Sequence, residues 1–404
     1  MKTFRYSVVM AMTYFAVNAA TGNSSFFLKS NGYSDGEVGF FVALAGIIAS
    51  LLQPLIGIFA DKTKRINLEG MIGLLTLCMA LAAIPLALGL DGRTVLVSIF
   101  FISAMVDMYV IMPLVNALGM YYVNKGKKLN FGLARGFGSI AYTIAAIVIG
   151  ILAKDEFFGP KVVPVSIIIS SILLIFATGI FNIKISKNEK EIDPFGMKEK
   201  KAGIDSKKFR EKYPEYFVFL IGVTLLFVGH NVINTFSYQF CVDLGRGVTE
   251  NGIISGVAAI VELPVMFGFS YLVKKFKVST LITVSAIFFS VKILTLTIAM
   301  EMKSIDLLYL SVYMQMLAFA LFIPASVYYA NSIIDKKDMA QGQSYMTTTN
   351  TLGAVIGSWI GGYLVEFTSS TITLWIMFAI SVLGTLICFK HVDRSIEIQN
   401  TNEV

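Results

Sequence analysis

Several groups able to carry charge or a proton sit inside long apolar stretches of this chain. Glu262 lies near the centre of GVAAIVELPVMFGF, Arg135 in NFGLARGFGS, Asp107 in SAMVDMYVIMPLVN, Lys292 in SVKIL and His230 in VGHNVINTFSYQF. A carboxylate accepts two or more charge-assisted hydroxyl bonds. A guanidinium fork holds an acid or two adjacent hydroxyls. An imidazole titrates near neutral pH and suits proton exchange, and a buried lysine keeps its charge only beside an acid. Asn116, Asn234, Tyr238, Gln239 and Gln315 add uncharged donors and acceptors. Pro264, two residues beyond Glu262, would loosen the helix there. Each charged or titratable group also has a structural reading. Glu262 could be a packing or gating contact. Arg135, read about two turns inside its helix, could reach to cytoplasmic phosphates. Asp107 could cap a bent segment, and a neutral His230 could bond a carbonyl. His391 falls in the tail and is expected to be solvated.

Other chemistries find no footing. GLARGFGS lacks the strand–turn–helix setting and the GK[ST] ending of a phosphate cradle. Glycine and alanine at close spacing, in GSIAYTIAAIVIG and GAVIGSWIGGYL, point instead to helices that approach closely. No ATPase motif, nucleophile elbow or HExxH pair occurs. Cys78, Cys241 and Cys388 lack metal-ligand spacing and read as small core residues rather than disulfide partners. The expectation is a protein with no cofactor, no metal and no enzymatic activity. Any uphill work would draw on a gradient.

The elements that must carry these residues are set by composition. The chain has 404 residues, of which 56% are hydrophobic and 15% charged; soluble domains carry about 25% charged residues. Twelve apolar runs of membrane-crossing length are read near 7–28, 38–60, 70–90, 95–123, 132–153, 163–183, 215–241, 251–273, 279–300, 306–333, 341–366 and 370–390. They are too long and continuous for barrel strands. Lys2 and Arg5 ahead of the first run resemble a signal peptide, but no small-residue cleavage site bounds a short core, so the run is read as a retained helix.

The net charge of +7 does not indicate nucleic acid, because it is sorted by loop. Most of the 33 Lys and Arg fall in DKTKR, NKGKK, the 184–214 segment, KKFK, DKKD and the termini. Lys29, Arg93, Lys154, Lys161, Arg246 and Lys303 occupy the opposite loops. This asymmetry places both termini in the cytoplasm, in the inner or plasma membrane. The one long polar segment separates six runs from six. The expected organisation is an N-terminal half over 1–183, a cytoplasmic loop over 184–214, a C-terminal half over 215–392 and a tail over 393–404. That layout suits an all-α integral membrane transporter of two pseudo-symmetric halves, with its substrate site near the midplane.

QPLIGIFADKTKR resembles the loop between the second and third helices of the major facilitator superfamily, with Gly57, Asp61, Lys62 and Arg65 in the matching places and Lys64 where a second glycine is usual. NFGLARGFGSIAYTIAAIVIGIL is similar to the fifth helix of the lactose permease-like oligosaccharide–proton symporters, VELPVMF to their eighth and SVKIL to their ninth. The resemblance implies that Arg135 and Glu262 bind sugar, that Tyr142 stacks on it, and that Lys292 replaces an arginine. It also implies losses. The family's second sugar-binding acid falls at Asn116, its helix-seven acids near Asn234 and Ser237, and its helix-ten His and Glu near Gln315 and Ala318.

The resulting expectation is a monomeric secondary transporter whose partners are the bilayer, a small polar solute and a proton. A sugar or glycoside would enter a site built from Arg135, Glu262, Tyr142, Asn116 and Gln315. Asp107, His230 and Lys292 are read as coupling or charge-pairing groups, and Arg135 and Glu262 as a charge pair bridged or broken by substrate. The alternatives are a nucleoside or other metabolite transporter, a uniporter, or a multidrug exporter.

Overall fold

The computed structural model describes residues 2–62, 67–124, 129, 131–155, 157–181, 206–335 and 338–393, and among them it is helical, without strands. Ten helical segments among these residues are long and apolar enough to cross a membrane. The runs at 7–28 and 341–366 are helical as well. The first is interrupted, leaving an opening helix of 16 residues, and the second opens on a polar sequence, MAQGQSYMTTTN. Arg65, the charged end of the superfamily-like loop, lies outside the described residues. Gly57, Asp61 and Lys62 lie on the last two turns of a helix.

The helices fall into two compact units. Unit 1 is Met1–Lys201 with Gly247–Gly256, and unit 2 is Ala202–Arg246 with Val257–Val404. In unit 1, α1 (Lys2–Val17) packs along α6 (Phe131–Leu152) and α7 (Val162–Phe181). α4 (Leu68–Ala87) packs on α5 (Val95–Asn124) and α7, and α3 (Asp35–Lys62) lies on α5. Fully buried Tyr6 joins three of these helices: its ring lies 5.5 Å from that of Phe181, and its hydroxyl donates to the Val115 carbonyl at 2.9 Å.

The run read as one helix over 7–28 is instead α1, a π-turn at Asn18–Gly22, and the short α2 (Ser24–Ser30). The sequence NAATGNSS explains the break. Asn and Ser compete for backbone hydrogen bonds and Gly weakens the helix. Here Asn23 Nδ2 donates to the Asn18 carbonyl at 3.0 Å and to Asn18 Oδ1 at 3.1 Å.

The Gly247–Gly256 stretch of unit 1 belongs to α10 (Val248–Val261), whose glycines meet α6 backbone to backbone. Thr143 Oγ1 donates to the Gly256 carbonyl at 3.0 Å and Thr249 Oγ1 to the Gly150 carbonyl at 2.9 Å. Small residues permit this approach.

In unit 2, α9 (Pro214–Asp243) packs on α15 (Met339–Phe367) and α16 (Ser370–His391). Again glycines allow it: a methyl group on Gly357 would lie 2.6 Å from the Val228 carbonyl oxygen, and one on Gly222 would lie 2.9 Å from that of Gly384. α12 (Val278–Glu301) packs on α16, on α13 (Ile305–Tyr313) and on α14 (Phe319–Ile333). Cys241 and Cys388 are buried, as expected of small core residues. Cys78 is exposed, a correction that follows from its place on the outward face of α4 with Leu74, Leu77 and Leu81. His391, expected to be solvated, ends α16 with Nδ1 2.5 Å from Glu215 Oε2.

The short α8 (Ser206–Lys212) clasps the start of α9 to the α14–α15 connection. Phe209 is buried among the rings of Tyr213, Tyr216, Phe217 and Tyr345. Lys212 Nζ donates to Asp335 at 2.6 Å and to Asp338 at 2.5 Å. The Asp335 bond, then those to Asp338 and Tyr213, raise the lysine above its usual range. A raised value means the contribution is fully present below the unfolded lysine's titration and is lost only above it. The Lys212 side of the clasp is therefore expected to hold unchanged from neutral pH to well into the alkaline range. Phe209→Ala should lower stability by about 3 kcal/mol. Thermal unfolding against pH, with and without that substitution, checks both expectations.

Candidate functional site

Three sequence-predicted residues meet in unit 2. Lys292, on α12, is 4% exposed, and its Nζ donates to Gln315 Oε1 at 2.5 Å. Gln315 Nε2 in turn donates to Glu262 Oε1 at 2.9 Å. An ammonium has donors only and an ionised carboxylate acceptors only, so the amide must turn its oxygen to Lys292 and its NH2 to Glu262. The observed orientation is the one that chemistry requires. Charged and polar groups inside a membrane are costly unless paired or facing a cavity, and this chain of bonds pairs all three.

Helix interruptions place two of them. Glu262 stands between α10 and α11 (Leu263–Lys275), where Pro264 at the head of α11 has no amide to continue the ladder. Gln315 stands in the 3-10 turn Met314–Met316 between α13 and α14. The sequence pointed to Pro264 as a loosening element; nothing in the local sequence of the Gln315 turn announced a break.

His230 lies on α9, 2% exposed, with its Nε2 3.0 Å from Asn234 Nδ2. An amide NH2 only donates, so Nε2 accepts and the ring proton sits on Nδ1. Nδ1 is buried without a hydrogen-bond partner. The ring stacks on Phe319 at 4.8 Å and 12°, with Phe227 and Phe289 edge-on. The enclosure is aromatic, and among the described residues no carbonyl bonds the ring, contrary to what the structural reading of His230 required.

Unit 1 holds the remaining candidates. Arg135 lies about one turn inside α6, rather than two, with its guanidinium carbon 4.2 Å from the centroid of the Tyr14 ring. A planar cation over an aromatic face is a favourable contact. Tyr142, two turns on, has its hydroxyl beside Gly22 of the π-turn. On α5, Asp107 and Asn116 are half-buried, and Asp107 Oδ2 and Asn116 Oδ1 are buried with no hydrogen-bond partner.

Two features escaped sequence reasoning. One is the π-turn. The other is a polar stripe on α15, where Ser344, Thr347, Thr348 and Thr351 are exposed at helical spacing, a pattern suited to water rather than lipid. Asn231 Nδ2 reaches Asn350 Oδ1 at 3.2 Å, and Thr235 meets Ser358 at 3.0 Å, so polar pairing continues between α9 and α15. The periodicity of the stripe is legible in QGQSYMTTTNT, while the length of the apolar run that follows hides it. Among the described residues no His, Cys, Asp and Glu cluster suits a metal ion.

The comparisons with known proteins agree with this architecture. The chain is 24% identical over 370 residues to the transporter YwbF of Bacillus subtilis (strain 168), covering 89% of this chain and 86% of that one. It is 24% identical over 361 residues to a maltose permease of Geobacillus stearothermophilus, covering 88% and 86%. Among solved structures, a point mutant of the nucleoside transporter NupG superposes with a TM-score of 0.78 at 16% identity, covering 97% of this chain and all of that one. A D-xylose-proton symporter gives 0.72 at 14%, covering 97% and 98%. These relatives are membrane transporters, not enzymes, and the fold is that of the major facilitator superfamily. The model of the MFS_1 like family matches residues 6–377, and the chain belongs to that family of multi-pass membrane transporters of small molecules.

Proposed function

We propose that this protein moves a neutral polyhydroxylated solute, a sugar or glycoside, by alternating access in symport with a proton. The observation that carries the reading is the Glu262–Gln315–Lys292 chain at two helix interruptions. Glu262 accepts solute hydroxyls, and Gln315 and Lys292 hold its charge when the solute is absent. A neutral solute leaves the paired charges balanced, whereas an anion or a lipophilic cation would leave one of them uncompensated. The names of the maltose permease and of the D-xylose-proton symporter support the same class. In the first half, Arg135, Tyr142 and Asn116 are assigned to solute contact, and Asp107 and His230 to coupling. The halves are taken as 1–183 and 215–392, joined by a cytoplasmic loop over 184–214. The protein acts as a monomer in the plasma or inner membrane, with both termini and the 393–404 tail in the cytoplasm; Gly57, Asp61 and Lys62 at the end of α3, with Arg65 after them in the sequence, are assigned to the conformational change on that side.

The test is uptake of labelled maltose, D-xylose and uridine into proteoliposomes, with and without an inward proton gradient. Uptake of a sugar should rise with the gradient and fall at least about tenfold in Glu262→Gln, a loss of about 1.4 kcal/mol in solute interaction. Uridine uptake without sugar uptake would replace the sugar reading with a nucleoside one. Sugar uptake indifferent to the gradient would remove the proton.

A further inference from the structure

At one end of unit 2, four lysines stand together without acids. Lys274 and Lys275 close α11, Lys277 is the N-cap of α12, and Lys390 lies in the last turn of α16. α12 and α16 run antiparallel, pinned by Thr385 Oγ1 donating to the Ala286 carbonyl at 2.8 Å and by Ser290 meeting Ser381 at 2.9 Å. Counted from these bonds along each helix, Lys277 and Lys390 lie within about one turn of each other in depth. All four lysines are exposed. Among the described residues none of them is paired with an acid, whereas Lys212 of the same unit holds both Asp335 and Asp338. A helix C-terminus favours cations, which accounts for Lys274, Lys275 and Lys390. It does not account for Lys277, which stands at the end of α12 where a cation is unfavourable.

The surroundings of these lysines are apolar. Phe276, between Lys275 and Lys277, is exposed, and Lys275 Nζ lies 5.8 Å from its ring centroid. Phe389 is exposed beside Lys390. Leu383, Leu386 and Lys390 follow helical spacing on one face of α16, and both leucines are exposed. Ile287 is exposed on α12. Both helices are long and apolar enough to cross a membrane. Their exposed aliphatic side chains therefore meet acyl chains, and the lysines and phenylalanines stand where the apolar wall ends, at the depth of the headgroups.

We propose that this end of unit 2 binds an anionic phospholipid, with the headgroup phosphodiester held by Lys275, Lys277 and Lys390 and the acyl chains lying along α12 and α16. A soluble anion would engage the cations and leave the apolar wall unused. A zwitterionic lipid would use the wall but bring its own cation among the lysines. A lysine near an anionic lipid surface is worth about fivefold in affinity. The site is independent of the identity of the transported solute.

The experiment measures the unfolding midpoint of the full chain in a neutral detergent against added phosphatidylglycerol or phosphatidylcholine with the same acyl chains. Phosphatidylglycerol should raise the midpoint, because a ligand of the folded state stabilises it, and phosphatidylcholine should need at least about tenfold more lipid for the same rise. The advantage should shrink as NaCl is raised from about 0.1 M to about 1 M, where the screening length falls from about 10 Å to about 3 Å. With Lys274→Gln, Lys275→Gln, Lys277→Gln and Lys390→Gln together, the phosphatidylglycerol needed for half of the rise should increase at least about tenfold. With Arg246→Gln and Lys303→Gln, exposed at the opposite end of unit 2, it should stay at the wild-type value. Equal stabilisation by the two lipids, an advantage untouched by salt, or an unchanged requirement in the four-lysine variant each overturns the proposal. Glycerol phosphate that protects as well as the lipid also overturns it, since the apolar wall would then play no part. The lipid comparison and the salt series use the wild type, so they decide the matter even if the four-lysine variant fails to fold.

Discussion

Lys292→Met is expected to lower thermal stability by about 3 kcal/mol or more, the range found when one partner of a buried charged pair is removed. The side chain is 4% exposed and ends on Gln315, which ends on Glu262. Methionine fills a similar volume, leaves the Gln315 oxygen without its donor, and removes the cation that the chain of bonds sets against the Glu262 charge. Adding Glu262→Gln to Lys292→Met removes the charge that Lys292 balances, so the double variant should recover at least half of the loss. That recovery is a coupling energy of the kind double-mutant cycles measure between residues of one network. Unfolding midpoints of the four proteins in one detergent decide it. If the two substitutions simply add, the three residues are neighbours and not an energetic unit. Transport should fail in both single variants, since the acid proposed to bind the solute is held by the same bonds.

Gly252→Val should be as damaging to folding as any change in unit 1. A methyl group on Gly252 would overlap the Ala146 carbonyl oxygen and lie 3.1 Å from the Gly150 Cα. Backbone cannot move aside as a flexible side chain can. Overpacking of a tight core costs about 1–3 kcal/mol, and valine, β-branched in a helix, reaches the top of that range. The Thr143–Gly256 and Thr249–Gly150 bonds on either side would lengthen with it. Gly179→Val and Gly268→Val, made at glycines with open space around them, should express and unfold near the wild type. Equal damage at all three positions would mean that helix propensity, not the close crossing, sets the cost.

What could be read from the sequence divides by physical cause. Glu262 and Lys292 stand out because a charge in an apolar run carries a penalty that only a partner or a cavity offsets. Their connection through Gln315 was not legible, because a glutamine costs little to bury and the bond depends on two breaks in different helices. Pro264 announced one break. The turn around Gln315, in VYMQMLAFA, carries no Pro or Gly and is set by tertiary packing. NAATGNSS contained every residue needed to open a π-turn, yet the apolar residues around it masked it. The α6–α10 crossing was half visible: closely spaced Gly and Ala in the fifth run predicted tight packing, but not the partner. Arg135 was recognised as a buried cation, and its seat on Tyr14 required the structure.

The three-residue chain of unit 2 also has a direction. Both of its hydrogen bonds point from Lys292 toward Glu262, and the amide between them can read only two messages. Turning the amide over would need an acceptor at the lysine and a donor at the glutamate, which is to say a lysine that has lost a proton and a glutamate that has gained one. The side-chain amide thus reports at each end what has happened at the other, without itself carrying a proton. On the proposed function, a solute hydroxyl that donated to Glu262 Oε1 would compete with the amide NH2 for that oxygen, and the competition would be felt at Lys292, two bonds away.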